Sequence, residues 1–524
     1  MQRRSPIRFS ALGLLALALM SRPVGAAVSL PSRFVDDLLV SGLNQPNSMA
    51  FLPDGRLLIT EQRSGRVKLF VNGHLSSGGP VLTLTDVNVT GYERGLHGIA
   101  VDPRWPVYPY VYLNYNRVGG FCRLVRFTAA GELVLPGSED LVLYNPLVLI
   151  DDIPDNSPNH NVGALRFGSG GKLFMDVGDD EDLCSAADST SLKGAVLRLD
   201  IRDLPPDSGM VVPRFAITPT DNPLATSNAN ARLVWAYGMR NPWRFDVDSL
   251  TDNLYVGDPG ETDFEEMDEV MPGDYLGWPY REGNKIMTPI GCTEPGGPGA
   301  NNYKAPIYTM AHGAGPTAII CAGMYRPSAT GSFNWPTEYY GTYGDVFFGE
   351  YYSGVLRRLK RQAGQWGIAA PVSGQPDSQN WATGLIAEVD FRVGPDGSLW
   401  WLSQFDATFS GATGTLHRIR YTSVQADVPL GGARLGGLTS APNPFMHRTD
   451  VSFRLAASAP ARLAVYDVTG RLVRELFAGT APAGETRVCW DGHDAAGAAM
   501  PPGVYLARLE TGGRASSVRM LRIE

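Results

Sequence analysis

One unit recurs along this chain and limits what it can become: a Gly-marked turn, an apolar strand, a gap, and a strand carrying Arg or Lys near its end. It appears as "FLPDGRLLITEQRSGRVKLF" (51–70) and as "VYPYVYLNY" (107–115) with "FCRLVRF" (121–127). A hairpin over 165–177 is followed by "GAVLRLDI" (194–201), and "DNLYVGD" (252–258) leads to "EEMDEV" (265–270). "GDVFFGEYYSGVLRRLK" (344–360) and then "GPDGSLWWL" (394–402) with "GTLHRIR" (414–420) complete the series. A single hairpin unit cannot bury its own apolar face, so repeated units stack on one another and share their cores. Six units predict an all-β, six-bladed β-propeller over residues 33–423. A β-sandwich is the rival, but it does not account for the recurrence. "FVDDLLVSGL" (34–43) stands ahead of the first unit, where it could complete the last blade and close the ring. Loops at one rim of a propeller converge on its axis, so a site should be assembled from several blades.

The repeat stops near Tyr421. After a linker expected over 424–439, residues 440–524 carry short alternating runs such as "ARLAVYDV", "TRVCWDG" and "GVYLARLE". Six or seven such strands predict a small Ig-like β-sandwich. This tail holds no His-rich or acidic constellation suited to chemistry and reads as a structural or surface-attachment module.

The formal charge of −8 argues against nucleic acid as a partner, since phosphate binding needs a basic face. Arg3 and Arg4, the apolar run "ALGLLALALM" (11–20) and the small residues Val24-Gly25-Ala26-Ala27 read as a signal peptide over 1–27. The run is too short to span a bilayer, and nothing comparable follows. The mature protein is therefore expected to be periplasmic, cell-surface or secreted, with no transmembrane segment. Five cysteines then meet an oxidising compartment, and the odd count leaves at least one unpaired in a monomer. Cys292 and Cys321, flanking a Gly/Pro-rich stretch, are the expected pair. None of the five has metal-site spacing.

The stretch "NHNVGALRFGSGGKLFMDVGDD" (159–180) holds one histidine near its start and closes on acids. If Ser169-Gly170 is a two-residue hairpin turn, Gly168 faces Gly171, Phe167 faces Lys172, and His160 faces Asp179. Opposed residues on antiparallel strands have Cβ atoms about 4.5–5.5 Å apart, so His160 and Asp179 would form one polar unit. An imidazole titrates near neutral pH, and a carboxylate on one ring nitrogen fixes its tautomer, which suits a general base. The bland alternative is a surface pair, with Asp179 and Asp180 serving the turn.

Several stretches, in order, resemble the glucose/sorbosone dehydrogenases, a family that includes soluble, pyrroloquinoline quinone (PQQ)-dependent aldose sugar dehydrogenases. They are "ERGLHGIAVDP" (93–103), the 159–180 stretch, "VWAYGMRNPWRFDVD" (234–248), "VGDPGETDFEEMDEV" (256–270), "GDYLGWP" (273–279) and "VGPDGSLWW" (393–401). The tail, with "APNPF", "VYDVTGRLVREL" and "WDGHDAAGAAMPPGVYLARL", is similar to FlgD-like and type IX sorting-type Ig-like modules, which implies attachment or secretion machinery as a partner. The resemblance implies PQQ and Ca²⁺ on the propeller's top face, an aldose as substrate and an external electron acceptor. It makes His160 the catalytic base and Asp179 its supporting carboxylate. Arg240 and Asn241 match cofactor-contacting residues, and Glu93 a polar residue near the substrate. Gly260 and Glu261 fall where main-chain carbonyls meet Ca²⁺, a hard cation that prefers oxygen.

The chain also departs from the family. Tyr352, Ala387 and Val389 stand where well-studied members place a Lys and an Arg-x-Arg pair against the cofactor's carboxylates. A charged hydrogen bond contributes about 1.5–3 kcal/mol, so these changes imply weaker binding unless Arg326, Arg357, Arg358 or Arg392 substitutes. Three readings follow: a quinoprotein oxidising aldoses to lactones, a non-catalytic binding propeller that has lost the cofactor cradle, or a Ca²⁺-dependent lactonase-type hydrolase. The joint retention of His160, Asp179, Arg240 and Asn241 favours the first. Glu265 or Glu266 could hold a second Ca²⁺. His97 is expected to pack in a strand and His312 to stand in a loop, where lining the site is the lesser alternative. Trp400-Trp401 and Tyr339-Tyr340 are expected in blade cores.

Overall fold

The structure is a computed structural model. It describes residues 27–523 apart from 205–210, 225, 290, 298, 300–301, 423–435, 456–457, 468–470 and 512–513. The signal-peptide segment, except its last residue, and most of the expected linker thus lie outside the described residues. The chain divides into two compact units, 1–425 and 426–524.

The strands that matter for the site in the first unit are β1 (Phe34–Leu43), β2 (Pro46–Phe51), β3 (Leu96–Val101), β4 (Val162–Phe167), β5 (Leu173–Val177), β6 (Arg244–Val247), β7 (Ile319–Met324), β8 (Glu388–Val393) and β9 (Gly414–Tyr421). Among the described residues this unit contains six antiparallel sheets of four or five strands, each built around one of the six expected sequence units. Their innermost strands follow one another in the order β2, β3, β4, β6, β7, β8, and β8 returns beside β2. That closes a propeller. β1 pairs antiparallel with β9, Phe34 opposite Tyr421 and Leu43 opposite Gly414, so a strand from the start of the chain completes the last blade. Closure of this kind covers sheet edges that would otherwise offer unpaired N–H and C=O groups.

The apolar cores lie between blades rather than within them, because each sheet buries both faces against its neighbours. One cluster joins Ala100, Tyr112 and Leu124 of the second blade to Val162, Leu165 and Met175 of the third. Another joins Met49, Leu57 and Ile59 of the first blade to Trp400, Leu402 and Leu416 of the last. Trp400, Trp401 and Tyr339 are buried, as expected of blade cores. The axis is polar: the buried Asp390 accepts from Ser48 Oγ, the Met49 amide and Arg166 Nη2, each at 2.8 Å, tying β8 to β2 and β4. Such a network constrains which strands meet at the axis, since each misplaced partner would leave a buried charge unpaired.

Two expectations are corrected. The disulfide joins Cys184 to Cys292, not Cys292 to Cys321. Cys321 lies buried in β7, where its Sγ donates to the Tyr255 carbonyl at 3.2 Å, while Cys292 is bonded to Cys184. The β4–β5 hairpin turns over three residues, not two: Phe167 pairs with Leu173, and Gly171 takes φ +69°. A three-residue turn ending on a left-handed glycine suits the twist of paired strands. A one-residue shift between Val162 and Leu165 then restores Val162 opposite Val177. The open end of the hairpin therefore keeps the register in which His160 meets Asp179.

The second unit is a sandwich of seven strands among the described residues. Three (Gly436–Ala441, Thr449–Leu455, Gly484–Trp490) form one sheet, and four (Ala459–Asp467, Leu472–Ala481, Gly503–Thr511, Arg514–Arg522) the other. Val451, Leu463, Trp490 and Met520 fill the space between them.

Candidate active site

A cavity of about 640 Å³ opens at the end of the axis where the loops before β3, β4 and β6 converge. His160, Glu93, Arg240 and Asn241 all line it. His160 Nδ1 lies 2.7 Å from Asp179 Oδ1, both side chains being buried. With Nδ1 engaged, the ring nitrogen left for the cavity is Nε2. The local backbone is shaped for this contact: His160 itself adopts φ +56°, a left-handed conformation costly for a non-glycine residue. Gly178 permits it, because a Cβ there would stand 2.4 Å from the His160 carbonyl oxygen.

Other blades hold the pair in place. The His160 amide donates to Glu93 Oε2 at 2.6 Å, and Asn241 Nδ2 lies 3.4 Å from the same oxygen. Burial pushes the Glu93 carboxyl above its ordinary value, against the opposing pull of His160, its amide, Arg240 and Asn241. The amides of Arg240 and Asn241 donate to the buried Asp258 carboxylate at 2.9 and 2.6 Å. Burial pushes Asp258 up to about 7, although those two amides and Arg240 oppose it. Arg240 Nη1 donates to the Pro259 carbonyl at 3.2 Å, its one hydrogen bond from the side chain among the described residues. The rest of its guanidinium keeps donors for a ligand.

The expected oxygen donors to a cation are split. Gly260 lines the cavity, beside Pro259, which was not among the expected donors, whereas Glu261 is exposed outside it. The Glu261 amide, with those of Thr262, Asp263 and Phe264, donates to Glu282 Oε1 at 2.7–3.1 Å. Glu265 is taken by Thr317 Oγ1, the Ile319 amide and His312, and Glu266 by the Gly283 amide. Among the described residues no group of three or more His, Cys, Asp or Glu side chains is arranged to hold a metal ion. His312 therefore serves Glu265 and does not line the cavity. His97 packs inside β3, where burial lowers its pKa to about 3 despite a bond to Asn116. Asp180 serves the turn, accepting from the amides of Asn156 and Ser157 and from Lys193.

At the positions expected to be basic, Tyr352 and Val389 line the cavity and Ala387 is fully buried beneath it. Tyr352 stands 5.0 Å from Tyr351 and 5.7 Å from Phe409, ring to ring, so one wall is aromatic. The four arginines expected to substitute lie elsewhere: Arg326 pairs with Asp248, Arg357 with Asn380, Arg358 with main-chain carbonyls, and Arg392 with Asp246. The cation that does join Arg240 at the cavity is Arg63, which the sequence reading missed. Trp278 and Asp258 were missed too, as were Gln62, Gln404 and Tyr351, which form a hydrogen-bonded chain along the cavity. These contacts join residues far apart in the chain, and no local pattern marks them. "GDYLGWP" contains Trp278 but says nothing of what its indole touches.

A family model described as Glucose / Sorbosone dehydrogenase matches residues 43–404, and one described as FlgD Ig-like domain matches residues 445–513. Aldose sugar dehydrogenase YliI of Escherichia coli (strain K12) is 26% identical over 268 residues, 51% of this chain and 66% of that protein. The HIPL1 protein of Arabidopsis thaliana is 29% identical over 189 residues, 33% of this chain and 27% of that protein. The chain thus matches about two thirds of the first relative and about a quarter of the second. The fold is similar to that of the soluble aldose sugar dehydrogenase from Escherichia coli in its apo-form, with TM-score 0.55 and 20% identity over 74% of this chain and 100% of that one. It is similar also to the PQQ-bound form of aldose sugar dehydrogenase from Streptomyces coelicolor, with TM-score 0.52 and 20% identity over 75% and 99% of the two chains.

Proposed function

The chain belongs to the glucose/sorbosone dehydrogenase family, and from that premise we propose that it is an exported quinoprotein oxidising the anomeric carbon of aldoses to lactones with PQQ and Ca²⁺. The observation that carries this reading is the His160 Nδ1–Asp179 Oδ1 bond of 2.7 Å, made at a cavity that also presents Arg240 and Asn241. A base backed by its orienting carboxylate thus opens on the same cavity as an arginine suited to an anionic quinone.

The residues present fit the cofactor. Arg240, with Arg63 and Asn241, would hold its anionic edge through charge-assisted bonds, and the Tyr351, Tyr352 and Phe409 rings offer apolar surface for a planar ring system. The carbonyls of Pro259 and Gly260 are the oxygen donors that Ca²⁺ would take. When bound, PQQ with Ca²⁺ supplies an acceptor for the two electrons that leave the sugar's C1 as hydride, to be passed later to an external acceptor.

The chain's own part is proton chemistry and placement. Asp179 holds a proton on His160 Nδ1, which leaves the Nε2 lone pair free to take the proton of the anomeric hydroxyl. As that proton arrives, the Asp179 carboxylate stabilises the imidazolium that forms. Loss of the hydroxyl proton and of the C1 hydrogen leaves a C1=O bond, so a cyclic aldose becomes its lactone. Glu93, beside His160, would offer its other carboxylate oxygen to a sugar hydroxyl. The Ig-like tail would serve surface attachment or secretion.

A second reading, a propeller that binds a ligand or partner without redox chemistry, is favoured by Ala387 and Val389, buried and uncharged where cofactor-binding cations are expected. Calorimetric titration of the mature apo-protein with PQQ, with and without Ca²⁺, separates the two. The dehydrogenase reading expects Ca²⁺-dependent binding that His160→Ala retains, and aldose-dependent dye reduction that it loses. No binding at high micromolar PQQ would sink that reading in favour of the second.

A further inference from the structure

Trp278 reaches the base from the fourth blade, through a contact that no sequence motif announces. Its indole Nε1–H donates to Asp179 Oδ2 at 2.8 Å, and the residue is 5% exposed. The other carboxylate oxygen, Oδ1, takes His160 Nδ1 at 2.7 Å and the Glu181 amide at 2.9 Å. The Arg240 guanidinium lies over the same indole, 5.7 Å from the ring centroid. The backbones are cross-tied as well: the Trp278 amide donates to the Gly238 carbonyl at 2.9 Å, and the Asp179 amide to the Arg240 carbonyl at 2.8 Å. Asp179, Trp278 and Arg240 are thus tied pairwise, by the indole–carboxylate bond, the guanidinium over the indole and the Asp179 amide on the Arg240 carbonyl.

The physical consequence is restraint of one torsion. A carboxylate bonded through one oxygen can swing about Cβ–Cγ and carry its histidine with it. Bonded through both oxygens from opposite sides, it has one plane, and the imidazole bonded to it has one orientation. The contact is not simply what a buried indole must make to fold. The indole nitrogens of Trp335 and Trp381 are buried without a hydrogen-bond partner among the described residues, and Trp105 satisfies its own on the Leu133 carbonyl. At Trp278 the donor is directed to the carboxylate that holds the His160 ring.

We propose that Trp278 is a positioning residue that locks the plane of Asp179, and through it the His160 ring, while backing Arg240 with its aromatic face. The catalytic consequence rests on the dehydrogenase reading; the lock does not.

The test is Trp278→Phe in the full chain, which keeps an aromatic face beneath Arg240 and removes the N–H. In the apo-protein, the Nδ1–H proton resonance of His160, assigned by its absence in His160→Ala, is expected to broaden or vanish in Trp278→Phe while the melting temperature changes little. In the PQQ-loaded enzyme, kcat is expected to fall at least tenfold with KM within twofold. A His160 resonance as sharp as in the wild type overturns the lock, whatever the activity does. Loss of that resonance in a protein whose wild type oxidises no aldose supports the lock and removes the dehydrogenase reading. Should Trp278→Phe not fold, hydrogen exchange at Trp278 Nε1–H decides. The lock expects that proton to exchange at least tenfold faster in Asp179→Ala than in the wild type, and equal rates overturn it.

Discussion

The His160 amide donates to Glu93 Oε2 at 2.6 Å, so the backbone of the proposed base is anchored by a residue of another blade loop. The anchor matters because His160 holds φ +56°, a conformation that needs its surroundings to maintain it. Replacing Glu93 by Ala leaves the amide without its acceptor, a loss of about 1–3 kcal/mol. The expected outcome is a fall in kcat/KM of roughly tenfold or more. Glu93→Gln, which keeps an acceptor oxygen, should lose less. Steady-state kinetics of the two variants check this, and equal losses would count against the anchor.

A pH dependence of stability follows from Asp246 at the far end of the axis. Burial raises its carboxyl to about 7 from an ordinary 3.8, with Arg166 opposing. The folded protein therefore holds a proton that the unfolded chain has released, and between those two values stability falls as pH rises. That stabilisation is fully present below pH 3.8 and gone above about 7. Asp246→Asn, which cannot ionise, should flatten this part of the slope in melting temperature between pH 5 and 8. An unchanged slope in thermal melts would exclude Asp246 as its source.

Tyr352 tests the altered cradle. It lines the cavity, 40% exposed, where a cation is expected in the family. Tyr352→Lys should tighten PQQ binding, since a charge-assisted hydrogen bond contributes about 1.5–3 kcal/mol, roughly ten- to a hundredfold in Kd. Calorimetry on the apo-protein measures it. Weaker binding by the lysine variant would mean that the aromatic wall itself holds the cofactor.

The Cys184–Cys292 bond spans 108 residues and fastens the segment after Asp179 to the segment after Trp278. Breaking a cross-link over so long a stretch typically costs about 2–5 kcal/mol. Cys292→Ser should therefore lower the melting temperature, by about 2–4 °C for each kcal/mol lost, whereas the buried Cys321 has no covalent partner to lose. Non-reducing peptide mapping should recover the 184–292 pair.

Much of this protein was legible in its residues. The six Gly-marked units predict six sheets, and "FVDDLLVSGL" (34–43), which stands ahead of the first unit and could complete the last blade, does pair with β9. The His160–Asp179 contact was legible as well, although the turn assigned to it was one residue too short. Two errors compensated: Gly171 lengthened the turn, and the irregularity between Val162 and Leu165 removed the extra residue again. Register near an open hairpin end depends on every bulge before it.

Periodicity and turn chemistry act over a few residues, so the sequence by itself determined the strands, their grouping into blades, the separate tail and the hairpin that brings a histidine to an aspartate. What stands around that pair was decided only when the ring closed. Glu93, Arg63, Arg240, Trp278 and Tyr352 come from several blades, and their meeting depends on how the sheets pack around the axis. So does the disulfide, since Cys292 pairs with whichever thiol the folded chain sets within reach, and that is Cys184. Contacts between blades join residues from 67 to 342 positions apart, and a local pattern carries no record of them.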